Sequence, residues 1–354
     1  MRRAPALIVG GGPAGAAAAI TLAREGMPHL LVERQRVIGD ALCGGFLSWR
    51  TVAQVRALGV EPGGHRVTRL RMVTARAVAE APLPEPAIGL SRHRLDTILL
   101  AQAEAVGARV ERGVSVRAVE HGGVRLADGE VLAPDALFLA TGKHDLRGAP
   151  ARGDPGDDPA LGLRVRLAAA PGLSVLVDDA IELHLFDRGY AGLVLQEDGS
   201  ANLCMAVRRS RLRAAGDAAG LLAELAREVP RLGERLAFMA GDAAVDAVAN
   251  VPYGWRARPG ALFRLGDQAG VIPSLAGEGM GIALASGVSA AQSYIAGGAA
   301  TAPDWQRAFR RRIGMPIAVA GGVRALAEGR ARGVLPRLAG PALVRWIARV
   351  TRVA

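Results

Sequence analysis

A strand-like apolar run, Ala6-Leu7-Ile8-Val9, passes directly into Gly10-Gly11-Gly12-Pro13-Ala14-Gly15. An alanine-rich helical segment follows, then a second apolar run, His29-Leu30-Leu31-Val32, that stops on Glu33. Gly10, Gly12 and Gly15 fit G-x-G-x-x-G: the first makes a tight turn, the second lets backbone approach a pyrophosphate, and the third lets the helix pack on the strand. The phosphates of such a ligand rest on free N–H groups at the helix N-terminus. Glu33 follows about 20 residues on, where an acidic side chain accepts the ribose hydroxyls of an adenine nucleotide. A glycine-rich turn alone says little, but strand, turn, helix, strand and terminal acid together specify a dinucleotide-binding unit.

At 354 residues the chain exceeds the size at which single cores stop growing, so two structural units are expected. The net charge of +11 is carried by arginine, Lys143 being the one lysine. With aromatics at only 4%, a stacking surface for nucleic acid is poorly supported, which leaves a basic face toward anionic lipid or an anionic substrate. Cys43 and Cys204 form neither a CxxC nor a metal-ligand pattern, so no metal is expected, and a reducing cytoplasm suits them. Met1-Arg2-Arg3 and the uncharged run to Ala23 imitate a secretory leader, but cleavage there would destroy the nucleotide site. The uncharged run Gly279 to Pro303 is too rich in Gly, Ser and Ala for a span and reads as a buried helix and a loop.

Along the chain, Cys43 sits in the loop Gly39 to Phe46, before paired glycines. There it is either a small polarizable group where backbone approaches a flat ligand, or a structural thiol beside a turn. Residues 51–60 read as helical and 66–74 as extended. Ser91 to Asp96 opens a helix with Leu95, Ile98, Leu99, Ala103 and Val106 at helical spacing. A hairpin around Asp128-Gly129 leads to a buried strand, Asp135 to Gly142, whose end is where a crevice ligand lies in an open α/β sheet.

Gly148 to Pro159 reads as a linker. The alternating segments 163–167, 173–177, 181–185, 191–195 and 201–207 then read as an antiparallel meander, with a helical stretch over about 217–240 after it. Leu262 to Asp267 is a strand ending on an acid, and Gly277-Glu278-Gly279-Met280-Gly281 precedes a helix over about 280–295. Asp267 and that helix start would face one ligand region, or Asp267 simply caps the reversal. After Pro341 an amphipathic basic helix sets Leu343, Trp346, Ile347 and Val350 apart from Arg345, Arg349 and Arg352. That stripe suits either a membrane surface or the protein's own core.

In this order the pieces resemble the FAD-dependent oxidoreductases that include para-hydroxybenzoate hydroxylase, flavin halogenases and geranylgeranyl reductases, and are most similar to the geranylgeranyl reductase-like branch. The likeness is carried by Gly10, Gly12, Gly15, Glu33, Cys43-Gly44-Gly45, Arg92 through Asp96, and Gly266-Asp267 through Gly279-Met280, over roughly residues 5–295. It implies FAD with its pyrophosphate at Gly12, Pro13 and Ala14, its ribose at Glu33, and its adenine at Arg34 and Val116. Arg92 would approach the phosphates or ribityl chain, Asp267 the ribityl or pyrophosphate region, and Gly279 and Met280 the pyrimidine edge of the flavin. Thr141 and Gly142 would close the strand end on the cofactor, while Cys43 and Gly44 would line the substrate side of the ring. Cys43 is thus the candidate catalytic contact.

Hydroxylases of this kind carry Ala-Asp-Gly where this chain has Ala140-Thr141-Gly142, and Thr141 cannot supply that charge. With no second G-x-G-x-x-G, any NAD(P)H would bind transiently. The polar turn Lys143, His144, Asp145 and Arg147 would either meet a nicotinamide phosphate or simply be solvated.

The expected architecture is α/β, a Rossmann-like doubly wound FAD-binding domain with an antiparallel β-sheet substrate domain. The FAD-binding domain would take segments 1–75, 91–148 and 251–300, and the substrate domain residues 76–90 and 149–250, leaving 301–354 as a basic helical tail. The expected function is NAD(P)H-dependent monooxygenation of a lipophilic or phenolic small molecule. The alternatives are reduction of a carbon–carbon double bond and, in another class, non-catalytic binding of prenyl or lipid groups. The expected location is cytoplasmic, with peripheral membrane contact through the tail left open.

Overall fold

A computed structural model describes residues 2–120, 123–154, 156–239, 245–338 and 340–353. Pro155 of the expected linker and Ala240 at the end of the expected helical stretch lie outside the described residues. The chain begins with β1 (Arg2–Val9), α1 (Pro13–Arg24) and β2 (His29–Glu33). It then leaves for β3 (Phe46–Leu47), α2 (Trp49–Ala57), β4 (His65–Val73) and β5 (Val78–Gly89). It returns through α3 (Arg92–Ala105), β6 (Arg109–Arg112), β7 (Val116–Glu120), β8 (Gly123–Leu126) and β9 (Val131–Leu139).

β6, β2, β1 and β9 lie side by side in parallel, with β8 and β7 antiparallel beyond β9. Strand β1 is central, Leu7 standing between Leu30 and Leu137, so its run is apolar on both faces as buried parallel strands require. Helix α1 covers one face with Ala14, Ala16, Ala17, Ala18 and Ala19, all buried. Small side chains are needed because a later helix passes very close: a Cβ on Gly287 would lie 2.2 Å from the Ala14 carbonyl oxygen.

The second excursion is β10 (Ala160–Leu167), α4 (Pro171–Val177), β11 (Ala180–Phe186), β12 (Gly189–Leu195) and β13 (Ala201–Arg208). Three helices follow, α5 (Arg209–Ala215), α6 (Ala218–Glu228) and α7 (Pro230–Leu236), then β14 (Asp246–Val251). The second sheet has the order β14-β10-β13-β12-β11-β4-β5-β3. Leu221, Leu222, Leu225, Val229 and Leu232 from the helices close its outer face over Leu163, Leu193 and Leu203.

Inside this layer Glu182, fully buried, accepts hydrogen bonds from Arg71 Nη1 at 2.5 Å, Arg235 Nη2 at 2.9 Å and His184 Nε2 at 2.9 Å. Burial alone would raise its pKa, but the His184 and Arg235 hydrogen bonds and charges prevail and hold the carboxyl at about 2.

The chain rejoins the first sheet with β15 (Phe263–Arg264), parallel to β9, and continues into α8 (Gly279–Gly297), α9 (Ala302–Arg312), α10 (Gly314–Glu328), α11 (Leu335–Leu338) and α12 (Pro341–Thr351). Phe138 stacks on Phe263 at 4.5 Å between centroids, and Trp305 and Phe309 extend that cluster, anchoring α9 against β15. No helix among the described residues is long and apolar enough to cross a membrane.

Four expectations are corrected. Residues 173–177 are helical, not a strand: Pro171 starts α4, and Leu173 and Val177, four apart, are its buried residues. The helical stretch after 217 breaks at Pro230 into α6 and α7, because proline cannot donate to the preceding turn. The second sheet already includes β3 and β4, so a boundary at residue 75 falls inside the β4–β5 hairpin; the sheet is antiparallel as expected apart from the parallel pair of β4 with β11. In α12 the buried residues are Val344, Ala348 and Thr351, so the apolar stripe is displaced from the one expected, and Trp346 stays 54% exposed.

Candidate active site

A cavity of about 300 Å³ lies where the two sheets meet. One wall is the start of α1, at Gly12, Pro13 and Ala14. Gly10 adopts φ +106°, and a Cβ there would come within 2.5 Å of the Ala140 carbonyl oxygen, so only glycine makes this turn beside β9. Gly15 is tighter still, since its Cβ would stand 1.9 Å from Gly10 O. The opposite end of this wall is the start of α8, where Gly279 and Met280 line the cavity and a Cβ on Gly279 would meet nothing within 4 Å. Two helix N-termini, whose first N–H groups have no acceptor within the helix, therefore open on one space. That suits a ligand with two separated centres of negative charge.

Charged groups stand between them. Arg92, on the first turn of α3, makes a two-pronged contact with Asp96, Nε to Oδ1 at 2.8 Å and Nη2 to Oδ2 at 2.6 Å. Burial would discharge it, but the Asp96 carboxylate outweighs burial and raises the Arg92 pKa, keeping a fixed cation at the mouth of the glycine turn. Lys143 Nζ donates to the Leu42 carbonyl at 3.0 Å and lies 3.9 Å from Asp267, both side chains reaching the cavity.

Glu278, immediately before α8, would oppose an anion at that helix end if it were free. Instead it is fully buried and turned away, accepting from Arg352 Nη1 at 2.9 Å, Val353 N at 3.0 Å and Ser48 Oγ at 3.3 Å. The residues after α12 thus neutralise the one carboxylate at the start of α8.

The second sheet closes the cavity with Leu70, Ile181, Leu183, Met205 and Cys204. Cys43 faces it from the loop after β2, and a Cβ on Gly44 would lie 4.0 Å from the Cys204 side chain. Both thiols are free, and burial pushes the Cys204 thiol up, so it stays protonated. The loop is held from outside by Arg164 on β10, whose guanidinium bonds Asp40 Oδ2 at 2.9 Å and the Ala41 carbonyl at 3.0 Å.

On the α8 side of the cavity three hydroxyls meet. Tyr190 Oη lies 2.7 Å from Ser274 Oγ, Tyr253 Oη donates to the same oxygen at 3.0 Å, and the Leu275 N–H donates to Tyr190 Oη at 3.2 Å. Burial pushes both phenols above their ordinary pKa, so they remain protonated donors.

Ten of the expected residues line this cavity: Gly12, Pro13, Ala14, Cys43, Gly44, Arg92, Gly142, Asp267, Gly279 and Met280. Gly10 and Gly15 shape its turn from behind. Glu33 is tied to its own loop, accepting from Gly11 N at 2.7 Å and Gln35 N at 2.8 Å. Arg34, Val116 and Thr141 are not in the lining. Arg34 donates to His144 Nε2 at 3.0 Å, Val116 pairs with Leu126 across β7 and β8, and Thr141 Oγ1 donates to the His144 carbonyl at 2.6 Å. Sequence reasoning missed Tyr190, Tyr253, Ser274 and Cys204. No local motif marks them: Cys204 falls within the segment 201–207 read as a strand, and Tyr190 lies one residue before the segment 191–195.

Comparison with known proteins agrees with this geometry. Residues 3–133 match the FAD binding domain family. The class defined by fold and site is that of the FAD-dependent oxidoreductases, enzymes in which FAD does redox chemistry inside such a cleft.

Within that class the chain is 29% identical to menaquinone reductase of Mycolicibacterium smegmatis, over 84% of this chain and 77% of the relative. It is 34% identical to the chloroplastic geranylgeranyl diphosphate reductase of Oryza sativa subsp. japonica, over 33% of this chain and 26% of the relative. A flavoprotein/dehydrogenase from Cytophaga hutchinsonii has the same fold, with a TM-score of 0.78 at 16% identity over 99% of this chain and 92% of that one.

Proposed function

We propose that the chain reduces a carbon–carbon double bond in a lipophilic, isoprenoid or quinone-type small molecule, with NAD(P)H as a transient electron donor. The observation that carries this reading is the hydroxyl cluster Tyr190–Ser274–Tyr253 in the cavity that Leu70, Ile181, Leu183 and Met205 give an apolar wall. Reducing a double bond requires a hydride and a proton, and the chamber offers the buried, protonated hydroxyl of Tyr190 as donor of the second. Thr141, in place of the hydroxylases' acid, and the likeness to menaquinone reductase and geranylgeranyl diphosphate reductase support the same choice.

The glycine cradle fits FAD, and FAD when bound supplies the hydride. In this reading Gly12, Pro13, Ala14 and Arg92 hold the pyrophosphate, and Asp267 with Lys143 holds the ribityl chain. The Gly279 and Met280 N–H groups would stabilise negative charge at the pyrimidine edge of the flavin. Leu183 and Met205 exclude water from the substrate. Cys43 touches substrate or flavin without acting as a nucleophile, since no base among the described residues is bonded to its thiol. The polar turn after Gly142 is occupied internally, Gln268 Nε2 donating to the Gly142 and His144 carbonyls at 2.9 and 3.1 Å, so a nicotinamide phosphate is not assigned there.

Monooxygenation of a phenolic compound is the competing reading, and one experiment separates the two. Purified protein is reduced anaerobically, then mixed either with a polyprenyl quinone or with oxygen and a phenol while the flavin spectrum is followed. Reoxidation by the quinone, with a saturated product and no oxygen incorporated, is expected. Stoichiometric incorporation of oxygen into a phenol would overturn the reductase reading.

The proposal includes a cytoplasmic site of action and peripheral membrane contact through the tail, supported by Trp346 at 54% and Leu338 at 52% exposure. Truncation at Gly340 is a poor test, because it would strip Glu278 of Arg352 and Val353. Full-length Trp346→Ser, holding FAD, should float less with anionic vesicles than the parent; equal flotation would dismiss the contact.

A further inference from the structure

Away from the chamber, a second cavity of about 380 Å³ lies between the first turn of α2, the β5 strand and α12. Arg50 enters it from α2, Arg345 and Arg349 from one face of α12, and Trp49 and Pro84 give it apolar walls. Glu85 is the one acid in the lining, so three guanidinium groups stand against one carboxylate. None of the three arginines has a carboxylate partner within 4.0 Å among the described residues.

Arg345 and Arg349 are four apart on a helix with no acid of its own, a like-charge spacing that costs stability unless something offsets it. Trp49 is fixed from the other side by Arg352, whose guanidinium carbon lies 5.1 Å from the ring centroid while its Nη1 bonds Glu278. The start of α2 adds the positive end of a helix: Ser48 satisfies the Thr51 N–H, leaving those of Trp49 and Arg50 without an acceptor within the helix.

We propose that this cavity binds a phosphate group, borne either by the headgroup of an anionic phospholipid or free in solution. Guanidinium forks match phosphate oxygens in two-pronged pairs, and three of them converging on a concavity form a receptor that a surface of scattered arginines does not. Trp346, exposed on the same helix, stands where the acyl boundary would begin if the phosphate is a headgroup. The site shares no lining residue with the chamber, so its test is independent of the reaction proposed there.

The full-length, flavin-loaded protein is titrated calorimetrically with sodium diphosphate. In parallel it is floated with vesicles of phosphatidylglycerol and phosphatidylcholine, and with phosphatidylcholine alone. Both arms are repeated with Arg50→Gln/Arg345→Gln/Arg349→Gln and with a charge-matched control, Arg76→Gln/Arg117→Gln/Arg213→Gln, whose positions are exposed and outside the cavity.

The parent and the control should bind, and the cavity variant should bind on the order of a hundredfold more weakly. Such a loss in the anionic-vesicle arm identifies a headgroup, and in the diphosphate arm alone a free phosphate. No binding by the parent in either arm, or equal binding by the cavity variant and the control, overturns the site. Flavin absorbance and thermal melting report folding, and if the triple variant fails them the single reversal Arg349→Glu carries the same comparison.

Discussion

The nucleotide half and the sheet half of this protein are stabilised in opposite ways. Around α1 the chain brings backbone against backbone: Gly15 lies under the Gly10 carbonyl, and Gly287 of α8 faces the Ala14 carbonyl across a wall of alanines. Around β11 it packs leucines on strands and buries a carboxylate among two arginines and a histidine. The first half gains precision by having almost no side chains to move, and a cofactor cradle needs that. The second retains room, because its job is to enclose a substrate with side chains. A single added methyl group and a single removed charge should therefore have different consequences on the two sides.

The largest effect is expected from Gly15→Ala and Gly287→Ala. Their Cβ atoms would stand 1.9 and 2.2 Å from carbonyl oxygens, so backbone must shift, at a cost of about 1–3 kcal/mol or more. Flavin content of the purified protein should fall to a small fraction of the parent's. Full occupancy in either variant would show that the cradle is not built by close approach.

Next comes Glu182→Ala, which takes from the buried Arg235 its two-pronged partner and leaves it, among the described residues, only the Glu234 carboxylate, at 2.6 Å from Nη1. It should cost at most about 3–5 kcal/mol in denaturant unfolding while the folded fraction keeps its flavin. The pH dependence sharpens this. Since the folded carboxyl sits at about 2, below its ordinary 4.5, its stabilisation is fully present above pH 4.5 and is lost as pH falls toward 2, amounting to about 3 kcal/mol. The parent should lose stability steeply over that window and Glu182→Gln should do so less. Superimposable acid-unfolding profiles would remove Glu182 from the account.

Tyr190→Phe should leave flavin content unchanged and lower turnover roughly a hundredfold, with the loss in kcat rather than KM. An unchanged kcat would mean that the hydroxyl cluster only braces the loop at Ser274. The smallest effects belong to Gly192→Ala and Cys43→Ala. A Cβ on Gly192, which also lines the chamber, would meet Leu183 at an ordinary 3.7 Å, so stability should stay within about 0.5 kcal/mol. Cys43→Ala should keep FAD and lose only part of turnover; complete loss with full flavin content would point to thiol chemistry.

Much of the cradle was legible in the sequence because it is written locally. The order strand, glycine turn, helix, strand and acid dictates its own backbone path, and Gly279-Met280 opens a helix wherever that helix lies. The segment 173–177 misled because Leu173, Val175 and Val177 alternate as a strand would, yet Val175 is exposed and Pro171 had already set a helical start. The tail's apolar stripe misled in the same way. Burial on α12 followed the surface it met, and that surface chose Val344, Ala348 and Thr351.

The sequence by itself determined the nucleotide fold and the class of cofactor, since glycine positions, buried parallel strands and the helix start constrain the backbone within a few tens of residues. Only the tertiary structure decided the rest. Tyr190 meets Ser274 across 84 positions, Arg164 grips Asp40 across 124, and Arg352 disarms Glu278 across 74. Such pairs carry no periodicity, because each is set by how separately folded layers come to rest on one another. The chemistry of the chamber is made from them.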